Sequence, residues 1–586
     1  MLKKISILFS YKLWLLVFIT IVSTSQAKVK PILENKDKNM LYIYTLSDKP
    51  AIEMYDEAAA VSTIQGIINK KQPAVYVLST RKNTPLYWLD IFAGDNGWLA
   101  NRKQTNIADL DALVKLAGKK LKGAVIWDPA VPATFNIATT IAGVEDLVVL
   151  SPELAKKNLA RWNLKVVQDL RGRFDGSVTG SSKNDAYRWA IEEYLKKGKC
   201  SSKLLCLFED SAMARSKGDI GYVVTRDWAV KNRAFVFDLS VWADVAPKDD
   251  LKQKLGTDLA TYKMILDATL KQADGNHMTE LAGFFSFWKY SNIPGFPSKH
   301  EPVPTEWETV FIISPYNVYQ NTVAGDCYNQ SLHSQMPFKP LKQKRPKVKN
   351  KVKKKIYICI FMADYDSTTP LYEFLPRHWD DKNRGKIPLV WGINPNLIET
   401  YPDVITHYYN TATDNDSFAS DASAAGYMNP NRIKSKYMSL FVKHNKKFFE
   451  LTDMTIAPMV LDWNEPTKSV KNAFTKFAPD GYATIIMDFH KNKGTTQKAH
   501  VWKGMPVMEL INDIFSSDPK KRADLFYNAL SRRGLNPPAF YIFRIVWDSP
   551  SNVINSLDIL RKNHPELNFE VIDVYNFFRL FKKHYK

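Results

Sequence analysis

Five stretches of this chain place an acid, an amide or an imidazole directly after an apolar run. Asp364-Tyr365-Asp366-Ser367 follows residues 356–363, Asn394 follows 388–393, and Asp462-Trp463-Asn464-Glu465 follows 454–461. Asp488-Phe489-His490 follows 481–487, and Trp547-Asp548 follows 539–546. One Asp in such a position is most often a helix N-cap; five polar strand ends together describe a shared chemical rim. The inventory suits glycoside cleavage, in which one protonated carboxyl assists the leaving oxygen while a carboxylate attacks or activates water. Asp364 and Asp366, two apart on a segment expected to be extended, should point to the same side. Their mutual repulsion should then raise one of the two pKa values. Asp462, Glu465 and Asp488 are candidates for the opposing acid or base, which makes these five the candidate catalytic residues. Asn394, His490, Trp547 and Asp548 are candidates for substrate binding, joined by Asp416, Tyr427 and Asn429 from the polar loop 411–430. The expectation is geometric: these acids converge around one hollow.

The elements that must position them alternate between strand and helix. Apolar runs at 356–363, 388–393, 454–461, 481–487, 506–508, 539–546 and 568–572 are separated by helical patterns, including 434–444, 520–532 and 552–562. Such repetition implies parallel strands joined by right-handed crossovers. Seven or eight units closing on themselves would give a TIM-like (β/α)7-8 barrel over 356–586, with its site at the C-terminal strand ends. An open doubly wound sheet is the alternative. Three α/β accessory subdomains precede it, at 28–100, 101–172 and 173–338. They carry no Gly-rich phosphate loop after a strand, so neither a dinucleotide nor an NTP site is expected. In the third, the aromatic segment 283–290 and residues 305–307 nominate Trp288, Lys289 and Glu306 as a carbohydrate wall; a packed domain face is the other reading.

Ala424-Ala425-Gly426-Tyr427-Met428-Asn429-Pro430 resembles the Gly-x-Gly-Tyr-x-Tyr-Pro signature of the GxGYxYP putative glycoside hydrolase family. Asp364-Tyr365-Asp366-Ser367 is similar to that family's Asp-Gly-Asp-Asn stretch, and 390–395, 412–418 and 547–550 fit its order and spacing. Ala424 stands for the first Gly and Asn429 for the second Tyr, while Tyr365 and Ser367 replace a small residue and an Asn. The resemblance extends over most of the chain beyond residue 27. It implies a barrel with glycosidase activity, preceded by accessory N-terminal subdomains.

Composition bounds the rest. Lys3, Lys4, the apolar run 13–22 and Ser25-Gln26-Ala27 read as a cleavable signal peptide over 1–27. No Cys follows the cleavage site to carry a lipid, so a secreted or periplasmic protein is expected, without a membrane span after cleavage. The net charge of +21 is concentrated rather than spread. Ten basic residues and no acid lie in 339–355, a run between domains that reads as a solvated linker. No nucleic-acid partner is therefore expected, and the sequence leaves the oligomeric state open. The four cysteines lack zinc-site spacing, although Cys200 and Cys206 are close enough in sequence to pair. No metal and no cofactor are expected. The partner is a carbohydrate substrate. Two other functions remain open at this level: a non-catalytic carbohydrate-binding or scaffold protein on a degenerate barrel, and a metal-dependent glycan deacetylase.

Overall fold

The computed structural model describes residues 39–210, 212–290, 299–510 and 513–586. The signal-peptide expectation lies outside them. No helix among the described residues is long and apolar enough to cross a membrane.

The N-terminal half carries three sheets, of which the second and third are parallel throughout. Val75–Ser79, Met40–Leu46 and Lys103–Ile107 form the first, and Leu147–Leu150, Gly123–Ile126 and Val166–Asp169 the second. The third runs Val318–Asn321, Thr279–Gly283, Leu204–Leu207, Phe235–Phe237, parallel throughout. Helix Ala51–Ile68 is apolar around most of its circumference, with buried residues on all sides. That is the pattern of a helix enclosed by protein.

The C-terminal half is built around Ile356–Ala363, whose eight residues are all buried. Apolarity on both faces fits a strand covered on both sides in a parallel sheet. It pairs in parallel with Leu389–Gly392, Ala539–Val546 and Phe569–Val571, and Asp416–Ala419 extends the sheet beyond Leu389–Gly392. A second sheet holds Ile456–Asp462, Gly481–Asp488, Met505–Glu509 and His500–Trp502, with Lys493–Thr495 folding back on Gly481–Asp488 as an antiparallel arm. The described residues thus form a mixed α/β fold with two C-terminal sheets, and no closed ring of strands is present among them. Isolated backbone bonds cross between the sheets. Ser423 N–H donates to Met459 C=O at 2.9 Å on one side, and Ile514 N–H to Arg544 C=O at 3.0 Å on the other.

The basic run 339–355 is an irregular surface strap, pinned along its length. Leu341 N–H donates to Leu451 C=O at 2.8 Å, Gln343 Nε2 to Tyr575 Oη at 3.0 Å, and Lys349 N–H to Asn576 Oδ1 at 2.7 Å. All four cysteines are buried free thiols, so Cys200 and Cys206 do not pair.

The two halves share buried contacts. Trp88, on helix Thr84–Ala93, is fully buried, donates from Nε1 to Tyr372 C=O at 2.9 Å, and packs against Tyr372, His407 and Tyr408. His333 Nδ1 lies 2.7 Å from Asp403 Oδ2, both groups buried, and Trp98 Nε1 donates to the same oxygen at 3.0 Å. Truncating Trp88 removes a large side chain at this seam, so Trp88→Ala should cost about 3–5 kcal/mol of stability. Urea titration followed by circular dichroism checks it; a midpoint equal to the parent's would show that the halves do not depend on this anchor.

Candidate active site

Strand Ile356–Ala363 ends in an unusual turn. Asp364 has φ +67°, the left-handed region that non-glycine residues seldom occupy. The segment is therefore not extended, and the two-apart argument for Asp364 and Asp366 does not hold. Three contacts fix the turn instead. Asp364 N–H donates to Asp421 Oδ2 at 2.7 Å, Trp547 Nε1 donates to Asp364 C=O at 2.8 Å, and Arg544 Nη2 donates to Asp364 Oδ1 at 2.5 Å. Arg544 sits inside the apolar strand Ala539–Val546 and also pairs from Nη1 with Asp513 at 2.8 Å.

Around this turn lie three further carboxyls. Asp366, half-buried, accepts from Ser367 Oγ at 3.1 Å. Burial, followed by the Asp364 charge, pushes it up to about 7. Asp421 is wholly buried, and its carboxyl is held well above the usual range by burial and then by Asp366 and Asp364. Glu306 reaches in from the N-terminal half, on helix Pro302–Ile313. Burial, then Asp366 and Asp364, push it up to about 8, while Arg544 and a 3.4 Å contact from Thr322 Oγ1 oppose the rise. Carboxyls in a common low-dielectric site resist joint ionisation, so the cluster holds protons at neutral pH.

The signature loop closes one side. Tyr427 exchanges backbone hydrogen bonds with Gln320 at 2.8 and 3.0 Å, and Asn429 N–H donates to Ser314 Oγ at 2.9 Å, so the N-terminal half holds this loop. Tyr427 Oη, both amide atoms of Asn429 and Asp421 Oδ1 are buried without a hydrogen-bond partner among the described residues. Burial, then the Glu306 and Asp366 charges, hold the Tyr427 hydroxyl well above the usual phenol range, with Asp462 contributing in the same direction. Asn394 supports the cluster from beneath: its Oδ1 accepts from Asp421 N–H at 3.2 Å and its Nδ2 donates to Ala422 C=O at 3.3 Å. Gly392 is required here, since a Cβ would lie 2.3 Å from Asp421 Oδ2 and 2.7 Å from Phe361 Cζ. Trp547 keeps 39% of its surface exposed and lies edge-on to Phe374, offering an aromatic face beside Asp364.

The structure thus brings together Asp364, Asp366, Asn394, Tyr427 and Trp547, keeps Asn429 on the same loop with its N–H on Ser314, and leaves other sequence candidates apart from the carboxyls. Asp462 is a loop anchor, accepting from the backbone N–H groups of Asn431 at 2.8 Å and Trp463 at 2.7 Å; burial pushes it up to about 6 against those bonds. Glu465 is exposed, and Asp488 is tied into its own turn by the His490 and Lys491 amides at 3.1 Å and by Lys491 Nζ. His490 meets Glu308 at 2.8 Å and packs on Trp463. Asp416 begins its strand rather than ending one, and is consumed by Arg384, Trp391 and Thr413. Asp548 is taken up by Arg522, Ser549 and Asn552. Lys289 is sealed between Asp238 and Asp249 at 2.9 Å each, and Trp288 Nε1 donates to Glu209 at 2.9 Å. The opposing acid expected from Asp462, Glu465 or Asp488 is not where the carboxyls meet; Glu306 stands there.

Asp421, Arg544 and Asp513 were not singled out by sequence. Arg544 carried a signal, because a charge inside a buried strand must find a partner. No three His, Cys, Asp or Glu side chains among the described residues are arranged to ligate a metal ion.

A mixed α/β fold whose parallel strand ends gather carboxyls defines the general class. The chain belongs to the GxGYxYP family. Residues 40–116 match the GxGYxYP_N 1st domain, 121–198 the GxGYxYP_N second domain, and 354–582 the GxGYxYP putative glycoside hydrolase C-terminal domain. Among solved structures, one described as a putative hydrolase from Bacteroides thetaiotaomicron superposes with a TM-score of 0.68 at 16% identity, covering 93% of this chain and 96% of that one. This likeness concerns the fold alone. A family 4 carbohydrate esterase from Bacillus anthracis covers 39% of this chain and 84% of its own at a TM-score of 0.22 and 11% identity, too low to bear on either fold or site. No curated protein matches the sequence.

The raised carboxyls have a thermodynamic signature. Between the ordinary glutamate value near pH 4 and about 8, the folded chain keeps a proton on Glu306 that the unfolded chain has released. Stability from this group is full below that window and is lost as pH rises through it. Denaturant midpoints should fall from pH 5 to 8, and Glu306→Gln should flatten the decline and raise the midpoint at pH 8. Parallel pH profiles for parent and variant would rule out the raised value.

Proposed function

We propose that the chain is an exported glycoside hydrolase acting on a poly- or oligosaccharide, with Glu306 as general acid and Asp366 as the opposing carboxylate. The observation that carries this is the meeting of Glu306 and Asp366, from different halves of the chain, each raised by burial and by shared charge. Asp366 accepts from Ser367 Oγ at 3.1 Å, which favours its ionised form, whereas Glu306 has only the 3.4 Å contact from Thr322 Oγ1, so we assign the proton to Glu306. Glycoside cleavage needs one carboxyl in each form across the scissile bond. Asp364, locked to Arg544, sets the local field, and buried Asp421 positions the turn by accepting the Asp364 N–H. Trp547, partly exposed and donating to the Asp364 carbonyl, offers a stacking face beside the turn. The family's description as glycoside hydrolases supports the same reaction class.

We also infer that the two C-terminal sheets are arcs of one irregular (β/α) barrel. The backbone bonds Ser423 to Met459 and Ile514 to Arg544, which span the two gaps, support this. Export is proposed on the basic, apolar and small-residue pattern of 1–27.

The roles separate experimentally once a glycan yielding new reducing ends has been found. Glu306→Gln should lower turnover of the natural glycan by about 10²–10⁴-fold, the usual contribution of general acid catalysis. It should spare an aryl glycoside whose leaving group needs no proton, whereas Asp366→Asn should abolish both activities. If Glu306→Gln depresses both substrates equally, Glu306 is not the acid. Glycans that bind without releasing reducing ends would leave a binding protein in place of a hydrolase.

A further inference from the structure

Beside the signature loop lies a cavity of about 630 Å³ between the third N-terminal sheet and helix Met438–Leu451, and Tyr427 is not part of its lining. Its back wall is the loop's own support. His444 Nε2 donates to Ala425 C=O at 2.9 Å, and the Tyr319 ring lies so close to Gly426 that a Cβ there would fall 2.2 Å from its Cδ2. The volume lies within the range of small-ligand sites, roughly 300–1,000 Å³.

Lysines outnumber carboxylates on the lining, where Lys203, Lys231, Lys443 and Lys447 stand with Glu280 and Glu399. Lys447 is paired with Glu399, whereas Lys203, Lys231 and Lys443 form no ion pair with a carboxylate among the described residues. Burial lowers Lys231 to about 8, with the Asp227 charge opposing the fall. Glu280, the other acid on the wall, is buried, accepts from Asn321 Nδ2 at 2.9 Å and is pushed up to about 7 by burial. Lys231 is half-buried, with its ammonium donating to Ser334 Oγ at 2.6 Å. Cations gathered on a partly enclosed surface focus a positive potential that attracts anions. The apolar walls are aromatic, from the edges of Trp228, Tyr319 and Phe448. An apolar wall is thus combined with more lysines than carboxylates.

We propose that this cavity is a second binding site for an anionic saccharide, a one- or two-ring sugar carrying a carboxylate or sulfate, held by Lys231 and Lys443 with Trp228 and Tyr319 as its apolar walls. The inference stands on the cavity and does not depend on hydrolysis at the carboxyl cluster. A carboxylate and a sulfate present the same charge-assisted acceptor to a lysine, so the two chemistries must be separated by measurement.

Calorimetric titration of the full chain with a hexuronate disaccharide, a sulfated disaccharide and neutral cellobiose provides the test. Binding of at least one anionic disaccharide, at least tenfold tighter than cellobiose and weakened several-fold from 50 to 500 mM NaCl, is expected. Lys231→Met and, independently, the exposed-site variant Lys443→Gln should each reduce that affinity several-fold. Asp366→Asn should bind as the parent does, because Asp366 does not line the cavity. Equal affinity for cellobiose, no heat with either anion, parental affinity in both lysine variants, or loss of binding in Asp366→Asn would each overturn the proposal. Because Lys443 is exposed, its variant keeps the test decisive should Lys231→Met fail to fold.

Discussion

The candidate site depends on one cation placed where a parallel sheet would ordinarily have an apolar residue. Arg544 lies on the strand Ala539–Val546, paired along its length with Ile356–Ala363, with its guanidinium spread between Asp364 and Asp513. Without it, Asp364, Asp366, Asp421 and Glu306 would form an uncompensated group of acids in a low-dielectric setting, an arrangement that costs several kcal/mol per unpaired ion. One guanidinium cannot neutralise four carboxyls, and the imbalance appears as raised pKa values at Glu306, Asp366 and Asp421. The same contact holds Asp364 at φ +67°, a conformation that persists only where its surroundings over-determine it. Charge balance and backbone strain are therefore one feature of the structure.

The second constraint is that neither half of the chain completes the cluster. The C-terminal half supplies Asp364, Asp366, Asp421 and Arg544, and the N-terminal half supplies Glu306. It also holds the signature loop through Gln320 and Ser314, while Asn321 Oδ1 accepts from Thr368 N–H at 2.9 Å just past Asp366. Anchors such as Trp88 and the His333–Asp403 pair thus have a role beyond stability, because a slip at the seam would move Glu306 relative to Asp366. A carboxyl pair split across a seam tolerates no looseness there, since reacting groups must be held to about 0.5 Å.

Much of the architecture was legible in sequence because it follows from hydrophobic periodicity. Continuous apolar runs correspond to Ile356–Ala363, Ile456–Asp462, Gly481–Asp488 and Ala539–Val546, and helices Pro519–Arg532 and Pro550–Asn563 follow their 3.6-residue patterns. The short antiparallel arm at Lys493–Thr495 and His500–Trp502 was not legible, its residues being largely polar and partly exposed. The site was legible in part. A carboxylate at a strand end is visible in one dimension, but whether it caps a turn, as Asp462 and Asp488 do, or faces a shared hollow depends on the loop that follows. Glu306 lies on a helix nearly sixty residues before Asp364, and a sequence pattern carries no information about which face of which domain it will meet. Asp416 illustrates the same limit: its placement in a polar loop suggested substrate contact, yet three donors consume its carboxylate at the opposite end of its strand.

The departures from the family signature can be ordered by what each position demands physically. Ala424 replaces a glycine but does not itself adopt a positive φ, the left-handed turn falling at Ser423 instead, so a methyl group is accommodated. Gly426 is retained where φ is +102° and where the Tyr319 ring leaves no room for a Cβ. Tyr365 is buried, with its hydroxyl 2.7 Å from His378 Nδ1 and its ring against Trp391, so that substitution enlarges the core and does not enter the cluster. Ser367 keeps a donor on Asp366 where the family has an amide. Asn429 is different. It places a buried amide, unpartnered at both atoms, where the signature has a phenol, exchanging a ring and one hydroxyl for a compact donor and acceptor. Of the four changes it is the one that exchanges polar groups buried within the loop, while the carboxyls keep their own contacts. The divergence of this chain from the family signature therefore lies in the interior of the loop and not at the carboxyl cluster.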